Sequence, residues 1–263
     1  MSPLNVVVNG ALGKMGQQVL SAVSEDPGTN PVGGIDLAAK DSSLSLDNTS
    51  YTIPLYSSIE EISDGVDVVV DFTNGEGAEL VLQTLAPKNI NIVIGSTGIT
   101  ESTMTNAASL AEKHNVGIMI APNFAIGAVV MNHISRIAAP FFDYADLTEM
   151  HHENKIDAPS GTALAIAEAT SQGKNGDFKS PDPEKELVPG TRGGTLRGIN
   201  IHSARMPGRV AHHELVFGAL GQTLTIRHDS INRESFMPGV LMAIKYVKQN
   251  QGFTVGLDKV MGL

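Results

Sequence analysis

The sequence predicts an α/β protein, a doubly wound parallel sheet with an inserted α+β domain. Three observations predict it. A short β-branched run, Asn5-Val6-Val7-Val8-Asn9, leads straight into a glycine turn and a helical pattern. Apolar strands and helical stretches then alternate up to residue 124. Beyond it the rhythm changes to alternating strands and a hairpin signal, before a last helical stretch.

Taking the elements in order, Asn5–Asn9 fits a strand buried on both faces. Gly10-Ala11-Leu12-Gly13-Lys14-Met15-Gly16 follows, and Met15, Val19, Leu20 and Val23 recur at helical spacing. Strand, glycine turn and helix stand in the order a dinucleotide site requires, which makes the fold Rossmann-like. The glycines let backbone approach a pyrophosphate, and the helix start offers it free N–H groups. The spacing is G-x-x-G-x-x-G, with Leu12 where a glycine is common. Val32-Gly33-Gly34-Ile35 reads as the second strand. Asp36 ends it, 20 residues after Gly16, where an acid accepts hydrogen bonds from an adenosine ribose. Leu37 follows instead of arginine, which favours NADH, with Lys14 or Lys40 available to NADPH.

Ile59, Ile62 and Val66 suggest a short helical stretch, and Val66–Thr73 a strand with polar residues at its end. Ala78–Leu85 and Met104–His114 read as helices. Ile90–Ile94 and Val116–Ile120 read as strands. Ligands bind at the carboxyl ends of strands in such sheets. Thr73, Gly95-Ser96-Thr97 and Ala121-Pro122-Asn123-Phe124 occupy those ends and are expected to line the nicotinamide side of the pocket.

Past residue 124, Gly127–Ala139 is an apolar helix and Tyr144–Met150 a loosely alternating strand. Two histidines and a lysine then enter a polar loop: His151-His152-Glu153-Asn154-Lys155-Ile156-Asp157-Ala158-Pro159. Asp157, Pro159 and Ser160 are helix-start residues, and the helix runs from Thr162 to Thr170. Ser160, Gly161 and Thr162 thus present hydroxyls and N–H groups at a helix N-terminus, an anion site with Lys155 and the histidines beside it. A histidine near pKa ~6.5 can exchange a proton at neutral pH. His-His-Glu lacks a third ligand at metal spacing, and no Gly-x-Ser-x-Gly elbow surrounds Ser160. Residues 171–195 look like a long exposed loop. Gly198–Arg205 reads as a strand, and His213–Gly218 with Gln222–His228 as a hairpin about Ala219-Leu220-Gly221. Ser235–Tyr246 returns to helix. The expected division is residues 1–124 with 235–263 for the dinucleotide, and 125–234 for substrate and oligomerisation.

Composition narrows the class. The chain has 263 residues and is 41% hydrophobic, with 27 glycines and 13 prolines spread along it, so many turns and a packed core are expected. No stretch nears the ~18 apolar residues of a membrane span. Met1–Asn5 lacks a basic start, so no signal or transit peptide is expected in the chain as given. The absence of cysteine excludes disulfides, thiolate catalysis and Cys-bound zinc. A net charge of −10 disfavours nucleic acid, so an anionic ligand needs a concentrated positive patch. The setting expected is cytoplasmic, or a plastid-type organelle if a targeting segment has been removed.

The run Glu149-Met150-His151-His152-Glu153-Asn154-Lys155-Ile156-Asp157-Ala158-Pro159-Ser160-Gly161-Thr162-Ala163 closely resembles the signature of the 4-hydroxy-tetrahydrodipicolinate (dihydrodipicolinate) reductase family. Lys14-Met15-Gly16, Val70-Asp71-Phe72-Thr73, Gly95–Gly98 and Ala121–Phe124 resemble the same family in order, so the resemblance spans essentially the whole chain. It implies reduction of a small cyclic dicarboxylate to tetrahydrodipicolinate by NADH or NADPH, in the diaminopimelate route to lysine, by a homotetramer built through the second domain's sheet. It implies His151 as proton donor and acceptor, Lys155 as a second donor, and His152, Gly161 and Thr162 as substrate ligands. Gly10 to Met15, Asp36, Gly95 to Thr97 and Ala121 to Phe124 would line the cofactor site. Leu12 and Asp36-Leu37 depart from the family's glycine and from the acid–arginine pair of some members, which bears on cofactor preference. Two other readings share the motifs: a nicotinamide enzyme acting on another small acid, and a non-catalytic nucleotide-binding redox sensor.

Overall fold

The computed structural model describes residues 2–46, 51–62 and 64–263. The chain forms two compact units, residues 1–124 with 236–263 and residues 125–235.

In the first unit, β1 (Leu4–Asn9) is wholly buried from Val6 onward, as its uninterrupted valines require. A turn at Gly10 leads to α1 (Lys14–Glu25), which buries Gly16, Val19, Leu20 and Val23 on one stripe. β2 (Thr29–Ile35) lies parallel to β1, and β3 (Ser43–Ser45) pairs with β4 (Thr52–Tyr56). β5 (Val68–Asp71), β6 (Asn91–Ile94) and β7 (Gly117–Ile120) are buried at every residue, so they show no alternation. α2 (Gly75–Leu85) and α3 (Glu101–His114) connect them. The Asn74 side chain caps α2 by accepting from Gly77 N at 2.9 Å, and Thr100 caps α3 by accepting from Thr103 N at 3.1 Å.

The second unit holds α4 (Ile126–Ala138), β8 (Tyr144–His151), α5 (Gly161–Gly173), β9 (Gly194–Leu196), β10 (Ile199–Arg205), β11 (Ala211–Ala219) and β12 (Gln222–Ser230). The chain then returns to the first unit with α6 (Met237–Gln249), β13 (Gly252–Val255) and α7 (Leu257–Met261).

Among the described residues the first sheet runs β13-β7-β6-β5-β1-β2-β4-β3, parallel except for β3. From β1 the chain builds outward through β2 to β4, then crosses back to β5 on the other side. The strand order therefore reverses beside β1, which is the switch point at which such sheets bind ligands. The second sheet runs β12-β11-β8-β10-β9, with β8 in the middle. β10 is parallel to β8, and β11 antiparallel. Its core gathers Met131, Leu147, Ala163, Ile166, Phe178, Leu215 and Phe217. The doubly wound parallel sheet with a second α+β sheet is thus the fold the sequence predicts.

Several local expectations need correction. Ile59–Glu61 is a single 3₁₀ turn, closed by a Ser58/Glu61 capping box, and Val66 lies outside it. Residues 171–195 are not one exposed loop. α5 continues to Gly173, Gly194–Leu196 is a strand, and Phe178 between them is 5% exposed in the second core. Burial of that ring fixes the segment, and Phe178 N donates to Arg197 O at 3.0 Å. The short strands β3, β4 and β13 carry too little pattern to stand out in the sequence. The β11–β12 hairpin turns through Leu220-Gly221 alone, because Ala219 already pairs with Gln222 and Gly221 supplies φ +73°.

Candidate active site

The first cluster of expected residues lies at the carboxyl end of the first sheet. Gly10 adopts φ +81°, and a Cβ there would stand 3.1 Å from Phe72 O. A Cβ on Gly16 would run into the Gly10 carbonyl. Glycine at both positions lets the start of α1 sit directly on the turn. Lys14, Met15 and Gly16 are the first residues of α1, so their N–H groups have no i−4 carbonyl within the helix. Gly10 N and Ala11 N donate to Ile35 O at 2.9 and 3.0 Å, and Leu12 N donates to Asp36 Oδ2 at 3.0 Å. Asp36 is therefore bound into the turn, and its Oδ1 accepts from Ala38 N at 2.9 Å. Gly13 and Lys14 are exposed, and Leu12 and Met15 are half-buried.

Asp71, the last residue of β5, is fully buried at this switch point. Its carboxylate accepts from Asn9 Nδ2 at 2.7 Å, from Thr73 Oγ1 at 2.8 Å and from the Ser96 hydroxyl. Burial pushes its pKa above the ordinary carboxylate value, against those hydrogen bonds. One carboxylate thus ties together the ends of β1, β5 and β6. Thr73 and Thr97 are exposed there, whereas Ser96 is spent on Asp71. Gly95 is hemmed in by the rings of Phe72 and Phe124, whose centroids lie 5.7 Å apart. Ala121 and Phe124 are 2% exposed and belong to the core, while Pro122 is exposed and Asn123 half-buried. The backbone cradle at a helix start, with an acid at the end of β2, fits a dinucleotide.

The second cluster belongs to the second unit. β8 buries Ala145, Leu147, Glu149 and His151 on one face. Period two therefore carries a carboxylate and an imidazole inward at its last turn of alternation. His151 Nδ1 lies 2.5 Å from Glu149 Oε2. Arg205, in register with His151 on β10, grips Glu149 with its two terminal nitrogens, Nη2 at 2.7 Å and Nη1 at 3.0 Å. The same guanidinium donates to Asp157 O at 2.6 Å. Burial opposes ionisation of Glu149, but hydrogen bonds from Arg205, Ser203 and His151 prevail and hold its pKa below the ordinary value. Burial lowers the pKa of His151, with Lys155 and Arg205 adding to the fall and Glu149 opposing it.

Ser160 is the N-cap of α5, accepting from Ala163 N at 3.1 Å. It is 2% exposed and lies 3.3 Å from His213 Nε2, so its hydroxyl is occupied in shaping the helix start. Gly161 is exposed, with nothing within 4 Å of where a Cβ would stand. Thr162 is half-buried and His152 exposed. Lys155 ion-pairs with Asp157. Asp157 therefore already occupies one of the donors assigned to the anion site, the Lys155 ammonium. Sequence reading gave no site role to Glu149, Arg205 or His213. The usable signal was the continuation of the Ala145-Leu147 alternation to residues 149 and 151. Among the described residues no group of three His, Asp or Glu side chains is arranged to hold a metal.

Comparison with known proteins matches both parts of the chain. Residues 4–124 match the family model "Dihydrodipicolinate reductase, N-terminus", and residues 127–261 match "Dihydrodipicolinate reductase, C-terminus". A 4-hydroxy-tetrahydrodipicolinate reductase of Dehalococcoides mccartyi is 41% identical over 100% of both chains, and one of Dictyoglomus turgidum is 40% identical over 98% of each. Among solved structures, a dipicolinate-bound dihydrodipicolinate reductase from Paenisporosarcina sp. TG-14 superposes with TM-score 0.86 at 36% identity, covering 98% of this chain and 99% of that one. An amine dehydrogenase from Mycobacterium smegmatis, at 14% identity and TM-score 0.66, shares the fold. With both halves matched and full-length relatives near 40% identity, the chain belongs to the dihydrodipicolinate reductase family.

Proposed function

We propose that this protein reduces 4-hydroxy-tetrahydrodipicolinate to tetrahydrodipicolinate, in the diaminopimelate route to lysine, with a nicotinamide cofactor. The observation that carries the reading is an imidazole, His151, anchored by a buried carboxylate beside a helix start and a lysine. The conversion adds one hydride and one proton and releases one water. When bound, the nicotinamide supplies the hydride. The N–H groups at the start of α1 would take the pyrophosphate, with Gly10, Ala11, Leu12, Gly13, Lys14, Met15 and Gly16 forming the cradle. Asp36 would accept the ribose hydroxyls. Its charge, with Leu37 beside it, opposes a 2′-phosphate, so NADH is the favoured cofactor. Thr73, Gly95 to Thr97 and Ala121 to Phe124 would border the nicotinamide.

For the substrate, Lys155, His152, Gly161 and Thr162 supply positive charge and N–H donors to the carboxylates, and Ser160 sets the helix start that aims them. His151 donates the proton from Nε2, and Lys155 is the second donor. The family resemblance supports a homotetramer, read directly by light scattering, and a biosynthetic reductase fits a cytoplasmic setting. Among the described residues no helix is long and apolar enough to cross a membrane.

The deciding experiment follows absorbance at 340 nm with NADH and with NADPH, substrate being generated in situ by the upstream synthase from pyruvate and aspartate semialdehyde. Substrate-dependent loss of absorbance, faster with NADH, is expected. A folded protein that oxidises neither cofactor refutes the reading.

A further inference from the structure

The second unit buries more ionisable chemistry than a proton donor and an anion site require. Glu149 is completely buried, and a buried ion pair is a poor means of stabilising a fold, since apolar residues of the same volume do as well or better. Its contacts point to another purpose. An ionised carboxylate only accepts hydrogen bonds, so His151 Nδ1, 2.5 Å from Glu149 Oε2, must carry a proton. The proton that His151 exchanges is then confined to Nε2. Arg205 fills both oxygens of Glu149 and also donates to Asp157 O in the loop that carries Lys155. One guanidinium thereby fixes the carboxylate behind the imidazole and the loop ahead of it.

We infer that Glu149 is the positioning residue of the proton transfer, setting the tautomer and direction of His151, and that Arg205 is its anchor. The inference rests on His151 being the proton donor. The groups facing His151 are Glu149 on its own strand, Arg205 on β10, His213 on β11 with its ring 5.4 Å away, and Lys155 in the following loop. Of these, Glu149 is the group that favours the protonated ring, whereas burial, Lys155 and Arg205 oppose it. The charge of His151 in turn lowers the pKa of His213, which stays neutral beside it. Without Glu149 the ring would hold its proton less firmly, and on either nitrogen.

The test compares wild type, Glu149→Gln, Glu149→Asp and His151→Gln as the full-length protein. Three quantities are read: the pH profile of kcat, affinity for pyridine-2,6-dicarboxylate, and the nitrogen shifts of ¹⁵N-histidine-labelled protein. Glu149→Gln is expected to lower kcat about 10- to 100-fold, the usual effect of removing a partner that orients a functional histidine. It should leave dicarboxylate affinity in place, move the ionisation assigned to His151 to lower pH, and replace the single Nδ1–H tautomer by a mixture. Glu149→Asp keeps a carboxylate for Arg205 but withdraws it from the ring, so it should show the same changes in smaller measure, even if the Gln variant folds poorly. Unaltered kcat and pH profile in a folded Glu149 variant overturn the inference. So does a loss of activity that only tracks lowered Tm, with the tautomer unchanged. Full turnover in His151→Gln would instead overturn the proton-donor assignment, leaving the tautomer measurement to judge Glu149 by itself.

Discussion

Asp36 Oδ2 accepts the backbone N–H of Leu12 at 3.0 Å, so the acid that ends β2 also shapes the glycine turn after β1. Two features usually treated as separate parts of a dinucleotide site are thus one hydrogen-bonded unit. Asp36→Ala should raise KM for NADH about 10-fold, the loss of roughly one charge-assisted hydrogen bond, with kcat little changed. Asp36→Asn removes the charge but leaves an acceptor, and should raise the NADPH/NADH ratio of kcat/KM. Steady-state kinetics with both cofactors check this, and an unchanged ratio would refute the assigned discrimination.

Gly16 and Gly161 offer a paired comparison. A Cβ on Gly16 would collide with the Gly10 carbonyl, whereas one on Gly161 meets nothing within 4 Å. Gly16→Ala should cost about 1–3 kcal/mol and abolish measurable NADH binding, because the turn must shift. Gly161→Ala should leave Tm unaltered. Calorimetric Tm and cofactor titration distinguish the two.

His151→Gln should lower kcat by about 10²-fold or more, the scale of a single acid–base catalyst, while the protein still binds NADH. Stopped-flow single turnovers separate the chemical step from product release. A chemical rate equal to wild type would remove His151 from the mechanism.

Asp157 holds the Lys155 ammonium that a substrate carboxylate would use. Asp157→Asn should therefore tighten binding of pyridine-2,6-dicarboxylate about two- to fivefold, the modest range of an exposed ion pair. Isothermal titration at low and high salt measures it. Weaker binding would show that Asp157 supports the site instead of competing for it.

His213 is 2% exposed, and burial foremost, then the charge of neighbouring His151, pushes its pKa down to about 4. A histidine depressed in the folded state stays neutral there while the unfolded chain takes up a proton. Its contribution is complete above the unfolded pKa of ~6.5 and is lost as pH falls toward 4, at up to about 1.4 kcal/mol per pH unit. His151 and His228 are shifted in the same direction and add to the slope. Urea midpoints between pH 7 and pH 4.5 should fall steeply in wild type and less steeply in His213→Gln. Parallel curves would contradict the assignment.

The linear chain determined what depends on local order. Valine runs at β1 and β5, the turn Gly10–Gly16 and the helix start at Ser160-Gly161 are each written in consecutive residues. Backbone sterics, periodicity and capping act over that range. The parallel sheet, the two strand-end clusters and the His151–Thr162 segment follow from them. Tertiary structure decided which partner each polar group takes. Glu149 meets Arg205 only because β10 pairs in parallel with β8 and brings residues 56 positions apart into one cluster. His213 reaches Ser160 across 53 positions, and Asp71 gathers Asn9 from the end of β1 and Ser96 from the loop after β6. Lys155, read from sequence as positive charge beside the anion site, is paired with Asp157, and Ser160, read as a helix-start residue of that site, is a buried cap. The physical reason is that hydrogen bonds and ion pairs are short-ranged and directional. Their partners are set by strand register and packing, which no single segment of the chain contains.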